Sequence, residues 1–415
     1  MKRLYNFGNI SLVCICICFA ICLFYIRPAT AQSFELDKGK KHVCIPFRLV
    51  RNMIIVKLTI NDKGPFNFIL DTGVGLMIIT DPSIVDSLNI HYKRTIKLSG
   101  LGDGDDVEAY VTSPLKIKLH NITSSNVGVA ILKKDMLGIS YFAGMPIHGL
   151  LGYEFFNDLA VKINFQDSTL FVFRPDEIKK FAKGEKIPLT IEENKPYLQA
   201  HVTMPDGTEK TCKLVMDIGA GHPLSLENLY TENELPRSFI RANLGEGFNG
   251  PIDGYISRIS KVVLGKYTIK NILTSFPASY TDSKHPSVYR DGNLGLGLLK
   301  RFSIIIDYAD SAVYIKPLKQ LVAPFEHDMS GMEYYAAGDG YKHVIIERVE
   351  PGSAADLIGL EKNDEIVSIN LKPVASMSIE DIDDIFKSGD NRSLLLEVFH
   401  DNKYDNVVIT LKRRI

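Results

Sequence analysis

Two aspartates stand where a carboxylate is expensive. In "NFILDTGVG" (67–75) Asp71 follows the apolar run Phe68-Ile69-Leu70, and in "KLVMDIGAG" (213–221) Asp217 follows Leu214-Val215-Met216. A carboxylate at the end of a buried strand is costly unless a neighbour bonds it or shares its charge. Taken singly, either aspartate could be a turn residue bonding nearby backbone N–H groups. Taken as a matched pair, they suggest joint acid–base chemistry. Two carboxylates in one low-dielectric site share a proton. One can then activate a water while the other protonates a carbonyl oxygen, which hydrolyses an amide without a covalent intermediate or a metal. Gly73 and Gly219 leave room for a sharp turn and close backbone approach. Thr72 is placed to hydrogen-bond across to the other loop.

What pairs the aspartates is an internal repeat. "HGLLGYEFFNDLAVKINFQDSTLFVF" (148–173) aligns without gaps to "DGNLGLGLLKRFSIIIDYADSAVYIK" (291–316). The aspartates, this segment and a later tyrosine (Tyr110, Tyr255) recur at offsets of 143 to 146 residues. Ile45-Pro46 and Ile187-Pro188 each open a strand-rich stretch, and turns at 61–64 and 205–207 lead into the aspartate strands. Each unit also has a Gly-rich stretch, "SGLGDGDD" (99–106) or "GEGFNGPIDG" (245–254). These stretches are either surface loops or mobile hairpins that close over a substrate, with Gly102, Gly104 and Gly247 at their tips. Tyr110 and Tyr255, near their bases, suit strand packing better than substrate contact. Asp167 and Asp310 lie in hairpin turns and receive no catalytic role.

Short strands rich in Val, Ile, Phe and Tyr with turns between them give a mainly β chain. Two similar units imply two lobes related by a pseudo-twofold axis, with a cleft between them. The central region resembles the retropepsin-like aspartic proteases in a duplicated single-chain form. "LDTGVG" fits that family's D-T/S-G-x motif, and "GLLGYEFF" its apolar-apolar-Gly segment behind the catalytic loop. The resemblance implies two β-barrel lobes (32–180 and 181–319), Asp71 and Asp217 as catalytic residues and a polypeptide substrate. Because the shared proton must be present, an acidic pH optimum is expected. The second copy departs from the pattern. Ile218 replaces the usual hydroxyl residue, and Asn293 replaces the first apolar residue of the later segment. The alternative is a protease-fold peptide-binding protein with weak or absent catalysis.

After residue 319 the repeat ends. "EPGSAADLIGLEKNDEIVSIN" (350–370) and its surroundings resemble a PDZ domain, a small α+β unit over 325–415. The resemblance implies binding of a peptide C-terminus at a sheet edge, with the carboxylate loop near Ser330, Gly331 and Met332. Glu333 is ill-suited beside a carboxylate. A purely structural module packed on the protease is the other reading.

The remaining features set boundaries. Lys2-Arg3, an apolar run from Ile10 to Ile26 and Ala29-Thr30-Ala31 predict a signal peptide over 1–31. This predicts an exported protein, periplasmic, cell-surface or secreted, with no stable membrane span after cleavage. Four of the six cysteines lie in that segment. Cys44 and Cys212 form either one disulfide or two separate buried thiols. The net charge of -1, with no basic tract, argues against nucleic-acid binding. H-E-x-x-H, G-x-S-x-G and a dinucleotide loop are absent, and "GDGDD" has the wrong spacing for a calcium loop. No metal or cofactor is expected.

Overall fold

The computed structural model describes residues 34–415 except 89, 99, 101, 103, 228–234 and 279–286. The expected signal segment therefore lies outside the described residues. The chain is mainly β, with four sheets and a few short helices. No helix among the described residues is long and apolar enough to cross a membrane.

Two sheets hold the aspartate strands in the same local order. In an 11-stranded sheet, Met53–Ile60 is followed by Lys63–Leu70, Gly149–Leu151 and Met77–Ile79. In an 8-stranded sheet, Lys195–Thr203 is followed by Glu209–Asp217, Gly292–Gly295 and Leu224–Leu226. The inserted strand in each pairs parallel to the aspartate strand on one side. On its other side it pairs antiparallel. The Gly-containing segments thus run directly behind the aspartate loops. The close approach requires glycine: a Cβ on Gly149 would overlap the Ile78 carbonyl, and one on Gly292 the Ser225 carbonyl. Phe68, Leu70, Leu214 and Met216 are all fully buried because each strand is covered on both faces.

A third sheet joins the two repeats. Strand Ala160–Asn164 pairs antiparallel with Phe302–Asp307, in register Val161↔Ile306 and Ile163↔Ile304. Val161 and Ile304 are repeat counterparts, as are Ile163 and Ile306, so each pair is the mirror of the other. One hydrophobic core runs through both lobes, from Val56, Phe68 and Leu70 to Met216, Ile218 and Ile304.

The fourth sheet runs Met332–Ala337, His343–Val349, Glu365–Ile369, Ser393–His400, Lys403–Thr410. Beside it lies the helix Ile379–Phe386, whose start is fixed by a reciprocal cap between Ser378 and Asp381. Ser353 precedes the short helical turn Asp356–Ile358, whose N-cap position is Ala355. The Ser353 hydroxyl accepts the Asp356 N–H at 3.3 Å from outside that position. This module does not stand apart. Its core residues Met332, Tyr334, Ile379 and Phe386 share one cluster with Val50, Met53, Ala143 and Ile147 of the first lobe. Cys44 and Cys212 are free thiols, not a disulfide, and Cys44 is exposed rather than buried.

Glu154 lies in the first turn of the short helix Tyr153–Asn157 and is buried in the first lobe. One of its oxygens accepts the Met77 N–H at 3.2 Å, and burial pushes its carboxyl up to about 7. A folded-state value above the unfolded one means stability that is complete in acid and lost as pH rises through about 7. Glu154→Gln is therefore expected to match wild type near pH 4 and to exceed it by up to about 3 kcal/mol at pH 9, measured by urea denaturation.

Candidate active site

Asp71 and Asp217 come together. A Cβ on Gly73 would overlap the Asp217 carboxylate, and a Cβ on Gly219 would overlap that of Asp71. Each aspartate therefore lies against the other loop's glycine, and the two carboxyls are close enough for the charge of Asp217 to act on Asp71. Neither glycine has a positive φ. Their role is space for the opposing carboxylate and not a left-handed turn.

Each aspartate first bonds its own loop. Asp71 Oδ1 accepts the Gly73 N–H at 2.7 Å, and Asp217 Oδ1 accepts those of Gly219 at 2.8 Å and Ala220 at 3.1 Å. Asp217 Oδ2 accepts a third bond, from Asn293 Nδ2 at 2.8 Å. Both residues keep partial exposure, but the carboxyl of Asp71 is withdrawn from solvent. Burial, then the neighbouring Asp217, holds Asp71 well above the usual carboxylate range.

Thr72 is fully buried and reaches the second loop. Its hydroxyl donates to the Met216 carbonyl at 2.6 Å and accepts the Ile218 N–H at 3.0 Å. Ile218 has no hydroxyl to return these bonds. It packs instead into the core shared by the lobes.

Three neighbours were not legible as site residues. Asn52 and Asn194 occupy equivalent turn positions with positive φ. Asn52 Nδ2 donates to the Gly221 carbonyl at 2.8 Å, and Asn194 Nδ2 to that of Gly75 at 3.2 Å. Each turn thus steadies the opposite aspartate loop. The repeated asparagine before an aspartate hairpin was the available signal. Lys195 follows Asn194, and its charge acts on both aspartates while burial lowers its own pKa. The first-lobe counterpart is Met53, so comparison of the repeats hides this lysine. Asn293, expected only as a departure, proves to bond Asp217.

The two Gly-rich stretches are hairpin tips that meet each other. The first hairpin is Tyr92–Leu98 with Val107–Thr112, and the second is Phe239–Gly247 with Gly250–Leu264. Asn249 Oδ1 accepts the Gly100 N–H at 2.6 Å, the Asn249 carbonyl accepts that of Gly104 at 2.5 Å, and Asn249 Nδ2 donates to the Gly104 carbonyl at 3.2 Å. Gly102, with φ of 114°, lies under the Asn249 backbone, and Gly247 pairs with Gly250 at the second tip. Tyr110 packs on Tyr92 with ring centroids 4.8 Å apart, and Tyr255 packs on Phe239 at 5.1 Å. Ser330 and Gly331 lie far along the chain in the fourth sheet's entry loop, Met332 opens its first strand, and all three are buried. Among the described residues no group of three or more His, Cys, Asp or Glu is arranged to hold a metal ion.

Comparison with protein families agrees with both resemblances. An aspartyl protease family model matches residues 56–155, and a PDZ domain model matches residues 345–398. The first match contains Asp71 and Thr72. The chain carries an aspartyl protease domain and a PDZ domain.

Replacing Thr72 by Val would leave the Met216 carbonyl and the Ile218 N–H unpaired in the core. At about 1–3 kcal/mol for each buried unpaired group, a loss of about 2–6 kcal/mol is expected, with Thr72→Ser near wild type, checked by denaturant unfolding. Because the folded-state pKa of Asp71 is raised, its contribution to stability is complete in acid and lost as pH rises above the ordinary aspartate range. Asp71→Asn is expected to melt with wild type near pH 3 and above it at pH 7, measured by calorimetry.

Proposed function

We propose that this chain is an exported aspartic-type endopeptidase with a single composite active site. The observation that carries the proposal is the close approach of the Asp71 and Asp217 carboxyls, each seated on the other loop's glycine. In this reading a pseudo-twofold axis passes between them. Support comes from the mirrored pairing of Ala160–Asn164 with Phe302–Asp307 and from the reciprocal bonds of Asn52 and Asn194.

The donors suggest which carboxyl holds the shared proton. Asp217 accepts three hydrogen bonds, whereas Asp71 accepts one backbone bond and is pushed up by burial. Asp71 is then the acid and Asp217 the base, although the pair titrates as a unit. Water bound between them loses a proton to Asp217 as its oxygen attacks the peptide carbon. Asp71 gives its proton to the carbonyl oxygen, forming a neutral gem-diol. The amide nitrogen then takes the proton from Asp217, the C–N bond breaks, and a gem-diol hydroxyl returns its proton to Asp71. One proton remains on the pair at the end, as at the start. The Gly-rich hairpins act as lids over a bound peptide.

The signal-like N-terminus supports export to the periplasm, cell surface or medium. One observation favours a second reading, a peptide-binding protein that cuts weakly or not at all: Ile218 leaves Thr72 as the lone hydroxyl joining the two aspartate loops.

Casein degradation from pH 3 to 7 separates these readings. Asp71→Asn and Asp217→Asn are each expected to lower the rate by about 10²–10⁴-fold. Activity that survives Asp217→Asn sinks the composite site, and well-folded wild type without activity at any pH supports the binding protein. Lys195→Met removes a positive charge that favours the ionised pair. The alkaline limb of the pH–rate profile is expected to move to higher pH.

A further inference from the structure

A PDZ domain receives a peptide as an added strand at its sheet edge, with the terminal carboxylate held by loop amides. In this chain both places are already filled. The edge strand Met332–Ala337 pairs only with His343–Val349 among the described strands, and helix Ile379–Phe386 lies across from its other side. Segment 139–147 of the first lobe lies between them. A Cβ on Gly144 would stand 3.4 Å from the Ala336 Cβ on the strand and 3.6 Å from the Ile379 Cβ on the helix. Ala143, Met145 and Ile147 are buried in the same cluster as Met332, Ile379 and Phe386.

Arg51 spans the same groove from a second direction. Its guanidinium donates to the Tyr334 carbonyl of the edge strand at 3.2 Å and to both oxygens of Asp383 on the helix at 3.0 and 2.8 Å. It also donates to the Phe142 carbonyl at 3.0 Å and lies over the rings of Phe142 and Tyr334. At the carboxylate loop, Asp328 Oδ1 accepts the N–H groups of Ser330 at 2.9 Å and Gly331 at 2.7 Å, and the Ser330 hydroxyl accepts that of Met332 at 3.1 Å. An incoming carboxylate would meet another carboxylate and no unengaged amide of these three.

We propose that the PDZ module is liganded in cis, by Arg51 and segment 139–147 in its groove and by Asp328 in its carboxylate loop, and serves as a clamp on the second aspartate loop rather than as a receptor for free C-termini. The mechanical link is one residue long. Arg51 and Asn52 form a single turn, and Asn52 bonds the Gly221 carbonyl just beyond Asp217. The module also grips the second Gly-rich hairpin, through Asn243 to Glu333 at 3.1 Å and Arg348 to Asp253 at 3.7 Å. Any effect of the clamp on catalysis rests on the peptidase reading. The occupancy in cis does not.

The test uses the full chain and does not depend on proteolysis. Gly144→Cys with Ile379→Cys, in a Cys44→Ser background, places two Cβ atoms within disulfide range. Mild oxidation is expected to join the two new thiols in most molecules, identified by mass spectrometry of the non-reduced peptides. In parallel, a fluorescein-labelled decapeptide ending in a free-carboxylate valine is titrated against its amidated form. Wild type is expected to show no preference between them, while Arg51→Ala and Asp383→Asn, each combined with Asp328→Ala to free the loop amides, bind the free-carboxylate form at least tenfold more tightly. The Arg51→Lys variant, also combined with Asp328→Ala, keeps the charge but loses the bidentate geometry and is expected to fall between them. Wild type binding the free-carboxylate peptide as tightly as the two opened variants, or a folded double-cysteine chain that does not cross-link, overturns the proposal. So does a failure of both opened variants to gain affinity.

Discussion

Two carboxyl groups drawn together at the ends of two buried strands, with that of Asp71 held well above the usual carboxylate range by burial and by its neighbour, constitute the constraint around which this molecule is arranged. Alone, each would need a counter-charge or a full set of donors. Together they can be accommodated by holding one proton between them. That solution demands geometry accurate to a fraction of an ångström, and the surrounding features supply it. The glycines at 73 and 219 leave the space, and the strands behind the loops fix the backbone. Thr72 ties one loop to the other with two bonds from a single hydroxyl.

The two halves do not share this task equally. The first supplies the bridging hydroxyl, and the second replaces it with Ile218, a fully buried core residue. The exchange gives up polar linkage and gains packing in the core common to both lobes. In return, the second half gathers donors and charge that the first lacks: the Asn293 amide on Asp217, and Lys195 where the first half has Met53. A symmetric pair of aspartates would leave the position of the shared proton undecided. In the proposed mechanism unequal surroundings bias it, so departures from the repeat pattern at 195 and 293 bear on the site as directly as the repeated motif residues do.

Much of this was legible because repetition converts weak signals into strong ones. One D-T-G triplet is a chance event in a chain of this length, but two aspartates in register with two Gly-containing segments define strands, their order and a meeting point. Periodicity gave the β character. What stayed hidden depends on distance in space. The Asn52 and Asn194 side chains serve loops in the opposite repeat, so no local pattern reveals their partners. Tyr110 and Tyr255 were equally visible and proved to be hairpin packing residues. The Gly-rich tips were legible as turns, whereas their mutual contact through Asn249 was not. Cys44 lies on an alternating strand whose outward face the sequence did not identify.

The same limit explains why the PDZ resemblance left two readings, a receptor for peptide C-termini and a module packed on the protease. A motif identifies a sheet edge and a loop, but not whether another part of the chain already lies there. Arg51 and Asp383 are separated by most of the protein, yet their side chains are only 6% and 15% exposed. A buried ion pair is poor evidence for added stability, because desolvation of both charges offsets their attraction. Its stronger consequence is specificity: removing either partner leaves an uncompensated charge, so one docking arrangement is favoured over its neighbours. Here that arrangement fixes a turn whose next residue, Asn52, holds the second aspartate loop. The first lobe, the second lobe and the C-terminal module therefore meet across two consecutive residues. A displacement of the module large enough to open its groove must break the Arg51 bonds and load the turn that Asn52 shares. The groove and the carboxylate pair are separate sites in sequence, but in the fold they are joined through that single turn.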